Sequence, residues 1–122
     1  MYDSITKKDL LHVFLRSWTL QHSLNSERME GIGYLNVMLP ILRKLHKGED
    51  FWKWVELHTE FFNTQPHMAA LIIGMDIRAE EETSSEETVK MIKRSHMGPL
   101  AGIGDLVYWF VFAPITFSIG AY

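Results

Sequence analysis

Met97-Gly98-Pro99-Leu100-Ala101-Gly102-Ile103-Gly104-Asp105, followed by Leu106 to Tyr122 without one charged side chain, is the stretch on which the fold turns. The uncharged run has the length of a short transmembrane helix. Three glycines, a proline and an acid directly before it make regular helix unlikely there. Irregular backbone beside a span is tolerated only where protein or a water-filled cavity satisfies its polar groups. Gly98, Pro99, Gly102, Gly104 and Asp105 therefore read as a broken helix lining a substrate path, with Asp105 as a functional candidate. A Gly-rich turn with Asp105 as N-cap accounts for the same residues, and the cap is slightly favoured for Asp105 because a helix is expected to start directly after it. Lys90, Lys93 and Arg94, just upstream, favour a cytoplasmic N-terminal end for the span.

Further upstream, Arg78 to Ser95 carries Glu80, Glu81, Glu82, Glu86, Glu87, Lys90, Lys93 and Arg94, and is expected as a solvated loop or helix. Before it, Asn63-Thr64-Gln65-Pro66 punctuates the chain, since Pro66 biases Gln65 away from helical geometry and can open a helix itself. Asn63, Thr64 and Gln65 offer amide and hydroxyl groups between two apolar helices, the kind that satisfies a sugar's hydroxyls; a capped helix junction would use the same residues. Phe51 to Phe62 interleaves apolar and charged residues, and Gly31 to Leu42 is uncharged but holds Gly31, Gly33 and Pro40, so it is re-entrant or an ordinary buried segment.

At the start, Thr6 and Asp9 form a capping box with Thr6 as N-cap, and the helix is expected to reach about Glu30. Leu11, Phe14, Leu15 and Trp18 lie on one stripe of it, suited to a soluble core or to a bilayer surface. Gln21, Asn25 and Glu27 gather with Arg28 near its end, as polar ligands or as a solvated terminus.

Composition narrows the classes. Hydrophobic residues make up 47% and charged residues 22%, within the range of soluble domains, so it is segregation along the chain that points to a membrane. Twelve basic residues against 15 acidic ones, without basic clusters, exclude nucleic acid as a partner. The absence of cysteine excludes disulfides and thiol chemistry. Six histidines at positions 12, 22, 46, 58, 67 and 96 show no metal-ligand spacing, and each is expected at the surface or in packing; no metal, cofactor or catalytic group is expected. Gly102-x-Gly104 lacks the third glycine of a dinucleotide loop, because Val107 stands there. The expectation is an all-α, membrane-associated helical protein with broken or re-entrant segments. Residues 1–122 form a single unit in three parts: an amphipathic helix over about 1–30, a junction and helix over 61–79, and the Gly-rich motif with its membrane-type helix over 97–122.

Three blocks, in order, resemble the IID component of the mannose/fructose/sorbose family of sugar phosphotransferase systems. They are Ile5-Thr6-Lys7-Lys8-Asp9-Leu10 continuing through Phe14-Leu15-Arg16-Ser17 to Asn25-Ser26-Glu27-Arg28-Met29, then Phe61-Phe62-Asn63-Thr64-Gln65-Pro66 leading to Gly74 and Ala79-Glu80-Glu81, then Met97 to Asp105. The resemblance implies the N-terminal part of a longer polytopic subunit of the bacterial inner membrane, or a truncated relative. It further implies a IIC membrane subunit as partner, a hexose substrate, phosphate relayed by cytoplasmic IIA and IIB domains, and an oligomer of the IIC-IID pair. Asn63 and Glu27 are then expected to face the sugar path. The sequence departs from the family pattern at Gln65, where histidine is usual, at Ala113, where arginine is common, and at Asp76 and Arg78 in a more apolar helix. The alternative from another class is a soluble or peripheral helical interaction module.

Overall fold

The computed structural model describes residues 4–82 and 85–121. Six α-helices follow in order: α1 Lys7–Ser17, α2 Gly31–Leu45, α3 Gly48–His58, α4 Pro66–Glu82, α5 Glu86–Asp105 and α6 Ala113–Gly120. A 3-10 turn at Leu20–Ser23 follows α1, and a π-helical stretch at Leu106–Phe112 joins α5 to α6. Among the described residues there is no strand; two isolated bridges join Met29 to Asn25 and to Phe62.

Thr6 caps α1 as the sequence indicates: its side chain accepts from the Asp9 amide, and the Asp9 carboxylate accepts from the Thr6 amide at 2.8 Å. The helix ends at Ser17, well short of Glu30. The Ser17 and Thr19 hydroxyls donate to the Phe14 and Arg16 carbonyls at 2.6 and 2.8 Å, local bonds that compete with continued helix. Asn25 then accepts from the Glu27 and Arg28 amides at 3.1 and 2.9 Å, and Met29 takes a positive φ of 50°, so the chain reverses before α2. Helix α1 docks through Val13, which is buried in the core, and through polar groups. Arg16 donates to the Asn36 carbonyl and side chain, and Lys44 pairs with Asp9 at 2.7 Å, whereas Leu11, Phe14, Leu15 and Trp18 face outward.

Of the two readings of Gly31 to Leu42, the buried segment is the one observed: it lies in α2, at the centre of the fold. Tyr34, Val37, Met38, Ile41 and Leu42 are fully buried, packed with Trp54, Phe62, Ile72 and Val89 from the surrounding helices. Each such apolar side chain contributes about 1.5–3 kcal/mol relative to exposure. The two glycines allow close crossing, because a Cβ on Gly33 would meet the Leu20 carbonyl oxygen at 1.8 Å and one on Gly31 the Glu60 oxygen at 2.4 Å.

Two expectations for the last third are corrected. Helix α5 runs without interruption through Met97 to Asp105, with Pro99 inside it, so the Gly-rich motif is not a break. Asp105 is itself helical and makes no capping bond. Tertiary packing holds the helix there. The Thr64 hydroxyl donates to the Met97 carbonyl at 2.9 Å, and Gly104 lies so close to Gln65 and Met68 that a Cβ would meet the Gln65 side chain at 2.5 Å. Gly98 and Gly102, by contrast, face open space. The departure from α geometry comes later, where the Ala113 amide donates to the Tyr108 carbonyl five residues back. Pro114 directly follows; it lacks a donor and its ring crowds the carbonyl four residues earlier, which a widened turn relieves. Residues Glu86–Gly120 thus form one helix of 35 residues, long and apolar enough to cross a membrane. None of residues 105–121 is buried by the rest of the chain, and Tyr122, the expected last residue of the span, lies outside the described residues.

The stretch Arg78–Ser95, expected in water, contributes Ala79, Glu80, Val89 and Lys93 to the interior. Its charges alternate with the helical repeat, so some of them must turn inward once α4 and α5 pack on α2 and α3.

Candidate functional site

A cavity of about 700 Å³ opens where the 3-10 turn, the start of α2, the Asn63–Pro66 junction and the end of α5 meet. Gln21, Asn63, Thr64, Gln65 and Asp105 line it, so the fold brings together residues separated by more than eighty positions. Asn25 and Glu27 are not among its lining residues. The amide of Asn25 is used up by the turn it builds, and Glu27 points to solvent beside Arg28, at 3.9 Å.

The lining residues do different things. Thr64 is buried and fastens the junction, its hydroxyl to α5 and its amide to the Glu30 carboxylate at 3.1 Å. Gln65 caps α4: its side-chain oxygen accepts from the His67 amide at 2.7 Å, and its amide meets His67 Nδ1 at 2.9 Å. His67 stacks on Tyr108 with ring centres 4.1 Å apart. Asn63 and Asp105 are exposed to the cavity, and the Asn63 side chain has no hydrogen-bond partner among the described residues. Phe14, Trp18, Tyr108 and Trp109 supply aromatic wall. Polar side chains beside aromatic faces suit a ligand with many hydroxyls and an apolar C–H face.

Glu30 is the residue that sequence reasoning missed. It is buried at the cavity floor, where desolvation raises its carboxyl above the ordinary range and the Thr64 amide and Gln21 side chain hold it down. The only signal was its place before Gly31-Ile32-Gly33, whose glycines pull the start of α2 into the interior.

A second polar cluster lies deeper, between α2 and α5. Glu80 receives the Nε2 atoms of both His46 and His58, at 3.0 and 2.7 Å, and His46 Nδ1 meets Asp50 at 2.8 Å. Hydrogen bonds from the two imidazoles hold the Glu80 carboxyl low despite the opposing effect of burial, which acts as the largest single influence. His58 is held low by burial, and its Nδ1 has no hydrogen-bond partner. Tyr34 donates to one oxygen of Asp76, whose other oxygen is unpartnered. Burial pushes the Asp76 carboxyl up to about 7, opposed by the Tyr34 hydroxyl and the charge of Lys93. Lys93 donates to the Leu57 carbonyl at 3.3 Å and lies 4.5 Å from the Tyr34 ring centre. His46 and His58 are thus packing residues, buried and hydrogen-bonded to Glu80, and no metal-binding group of three His, Asp or Glu exists among the described residues.

The comparisons with known proteins agree with this architecture. The family model described as the PTS system mannose/fructose/sorbose family IID component matches residues 4–122. The mannose-specific EIID component of Escherichia coli (strain K12) is 38% identical over 124 residues, covering 96% of this chain and 44% of that protein. The fructose permease IID component of Bacillus subtilis (strain 168) is 35% identical over 123 residues, with 96% and 45% covered. The cryo-EM structure of the mannose transporter ManYZ with microcin E492 superposes with a TM-score of 0.88 at 38% identity, covering 97% of this chain and 46% of that one. The chain spans somewhat less than half the length of the relatives it matches. It belongs to the IID components of the mannose/fructose/sorbose family of phosphotransferase systems.

Proposed function

We propose that this chain forms part of the sugar pathway of a phosphotransferase permease in the bacterial inner membrane, and that the cavity at the Asn63–Pro66 junction holds a hexose. One observation carries the reading: Asn63, with its amide unengaged, faces a cavity floored by the buried Glu30 and walled by aromatic rings. Asn63, Gln21, Glu30 and Asp105 supply donors and acceptors for hydroxyls, Trp18 and Trp109 shield the ring's C–H face, and Thr64 and Gln65 hold the junction in place. In this reading a IIC subunit completes the path against the exposed apolar helix, the pairs associate into oligomers, and phosphate comes from cytoplasmic IIA and IIB domains. The chain itself performs no phosphoryl transfer.

Sugar binding by the chain reconstituted with a IIC subunit tests it. Asn63→Ala weakens binding by about 1–3 kcal/mol, because a hydroxyl loses its partner. Glu27→Gln leaves affinity unchanged. Equal affinity in wild type, Asn63→Ala and Glu30→Gln removes the cavity from the pathway.

A further inference from the structure

The buried cluster around Asp76 is used neither by the cavity nor by any apolar packing requirement. Charged and titratable groups converge on it from α2, α3, α4 and α5. Tyr34 comes from α2, with His46 just past its end; His58 and Asp50 come from α3, Glu80 from α4 itself, and Lys93 from α5. Helix α1 brings Val13 to α4, while its Asp9 and Arg16 are engaged by Lys44 and Asn36. Glu60, near Lys93, pairs with Lys90 and Arg94 at 3.2 and 3.6 Å.

The cluster is also joined to the cavity at two points, each one helical turn away. The Tyr34 amide donates to the Glu30 carbonyl at 2.8 Å, and Tyr34 packs on Phe62, whose carbonyl accepts from the Glu30 amide at 2.8 Å. Lys93 precedes Met97 by one turn of α5, and the Met97 carbonyl receives the Thr64 hydroxyl of the junction. A shift of Tyr34 or Lys93 therefore reaches Glu30 and Thr64 through bonded neighbours.

We propose that the Asp76–Tyr34–Lys93 cluster is a proton-binding switch, in which the proton taken up or released at the unpartnered Asp76 oxygen alters the cavity through α2 and α5. With Asp76 ionised, its charge draws on both the Tyr34 hydroxyl and the Lys93 ammonium and pulls Lys93 away from the Leu57 carbonyl. With Asp76 protonated, Lys93 remains over the Tyr34 ring and on Leu57. Burial places this change near pH 7.

The full chain in lipid nanodiscs, labelled with 5-fluorotryptophan, tests this without any sugar, so its failure is separate from failure of the sugar-pathway reading. Fluorine resonances of the cavity residues Trp18 and Trp109, assigned by single Trp→Phe exchanges, are followed from pH 5 to 9. The expected result is a transition near pH 7 that Asp76→Asn abolishes. Tyr34→Phe, which removes the bond favouring the ionised carboxylate, moves the midpoint upward and serves where Asp76→Asn does not fold. A transition that survives Asp76→Asn arises from another group and overturns the switch. A midpoint unmoved by Tyr34→Phe, or no transition at either tryptophan in wild type, overturns it as well.

Discussion

The interior between α2 and α5 and the helix beyond Asp105 are equally rich in large apolar side chains, yet they are treated in opposite ways. Val37, Met38, Ile41 and Leu42 have no accessible surface, whereas Trp109, Phe110 and Phe117 are 67, 76 and 76% exposed. The first region closes on itself and even encloses polar groups, the Glu80 carboxylate between two imidazoles and Asp76 against Tyr34. The second, apart from Tyr108 on His67, is left largely uncovered by the rest of the chain. A water-soluble helix with that surface would aggregate, so its partner is lipid or another apolar chain. Burial within the chain, rather than hydrophobicity of the segment, separates the part that makes the fold from the part that needs an apolar surrounding.

The largest effect that sharpens this contrast is expected in the first region. Trp54 is buried and stacks on His46 at 4.6 Å, so Trp54→Ala removes about 3–5 kcal/mol of stability, read as a lowered denaturation midpoint in detergent. A loss below about 1 kcal/mol would mean that the interior is looser than the packing indicates.

A smaller effect concerns pH. Asp76 binds its proton more tightly folded than unfolded, about 7 against an ordinary 3.8, so its contribution is complete below pH 3.8 and is lost as pH rises through 7. His58 and Glu80 are held below their ordinary 6.5 and 4.5, so their contributions are complete above those values and are lost as pH falls below them, through the lower folded-state values. The difference between Asp76→Asn and wild type isolates the first. It is expected to favour the variant increasingly from pH 5 to 8, by on the order of 2 kcal/mol, in thermal melts at matched pH. A difference flat with pH would show that Asp76 stays in one protonation state.

Thr6→Ala, which deletes the N-cap and half of the capping box, costs about 1 kcal/mol and shows as faster amide exchange in the first turn of α1. Smallest of all, Trp109→Ser changes folding stability by less than about 0.5 kcal/mol, because the residue packs on no core, while weakening retention in lipid vesicles. If Trp109→Ser unfolds the chain instead, the two regions are not energetically separate.

Much of this was legible from local pattern. The Thr6–Asp9 box, Pro66 at the first position of α4 and the uncharged run after Asp105 are signals read within a few residues, and the all-α class follows from them. Asn63, Thr64 and Gln65 were also legible as cavity residues, because they are polar groups set between apolar helices; of Gln21, Asn25 and Glu27, read together at the end of the first helix, only Gln21 lines the cavity. Glu30 was not legible, since its place before Gly31-Ile32-Gly33 shows that the backbone can pack closely there but not that the side chain turns inward, unlike that of Glu27.

Sequence alone thus determined which segments coil and which stretch needs an apolar surrounding, because helix caps, prolines and runs without charge act over one or two turns. Tertiary structure decided the rest. It kept α5 helical through Gly98, Pro99, Gly102 and Gly104, since the junction's Thr64 and Gln65 pack there and favour the straight course over the local preference for a break. It took from Asp105 the capping role and placed the residue at a cavity rim. It also turned His46, His58, Asp76, Glu80 and Lys93 inward, a choice that depends on which charges meet across four helices and that no single helix can encode.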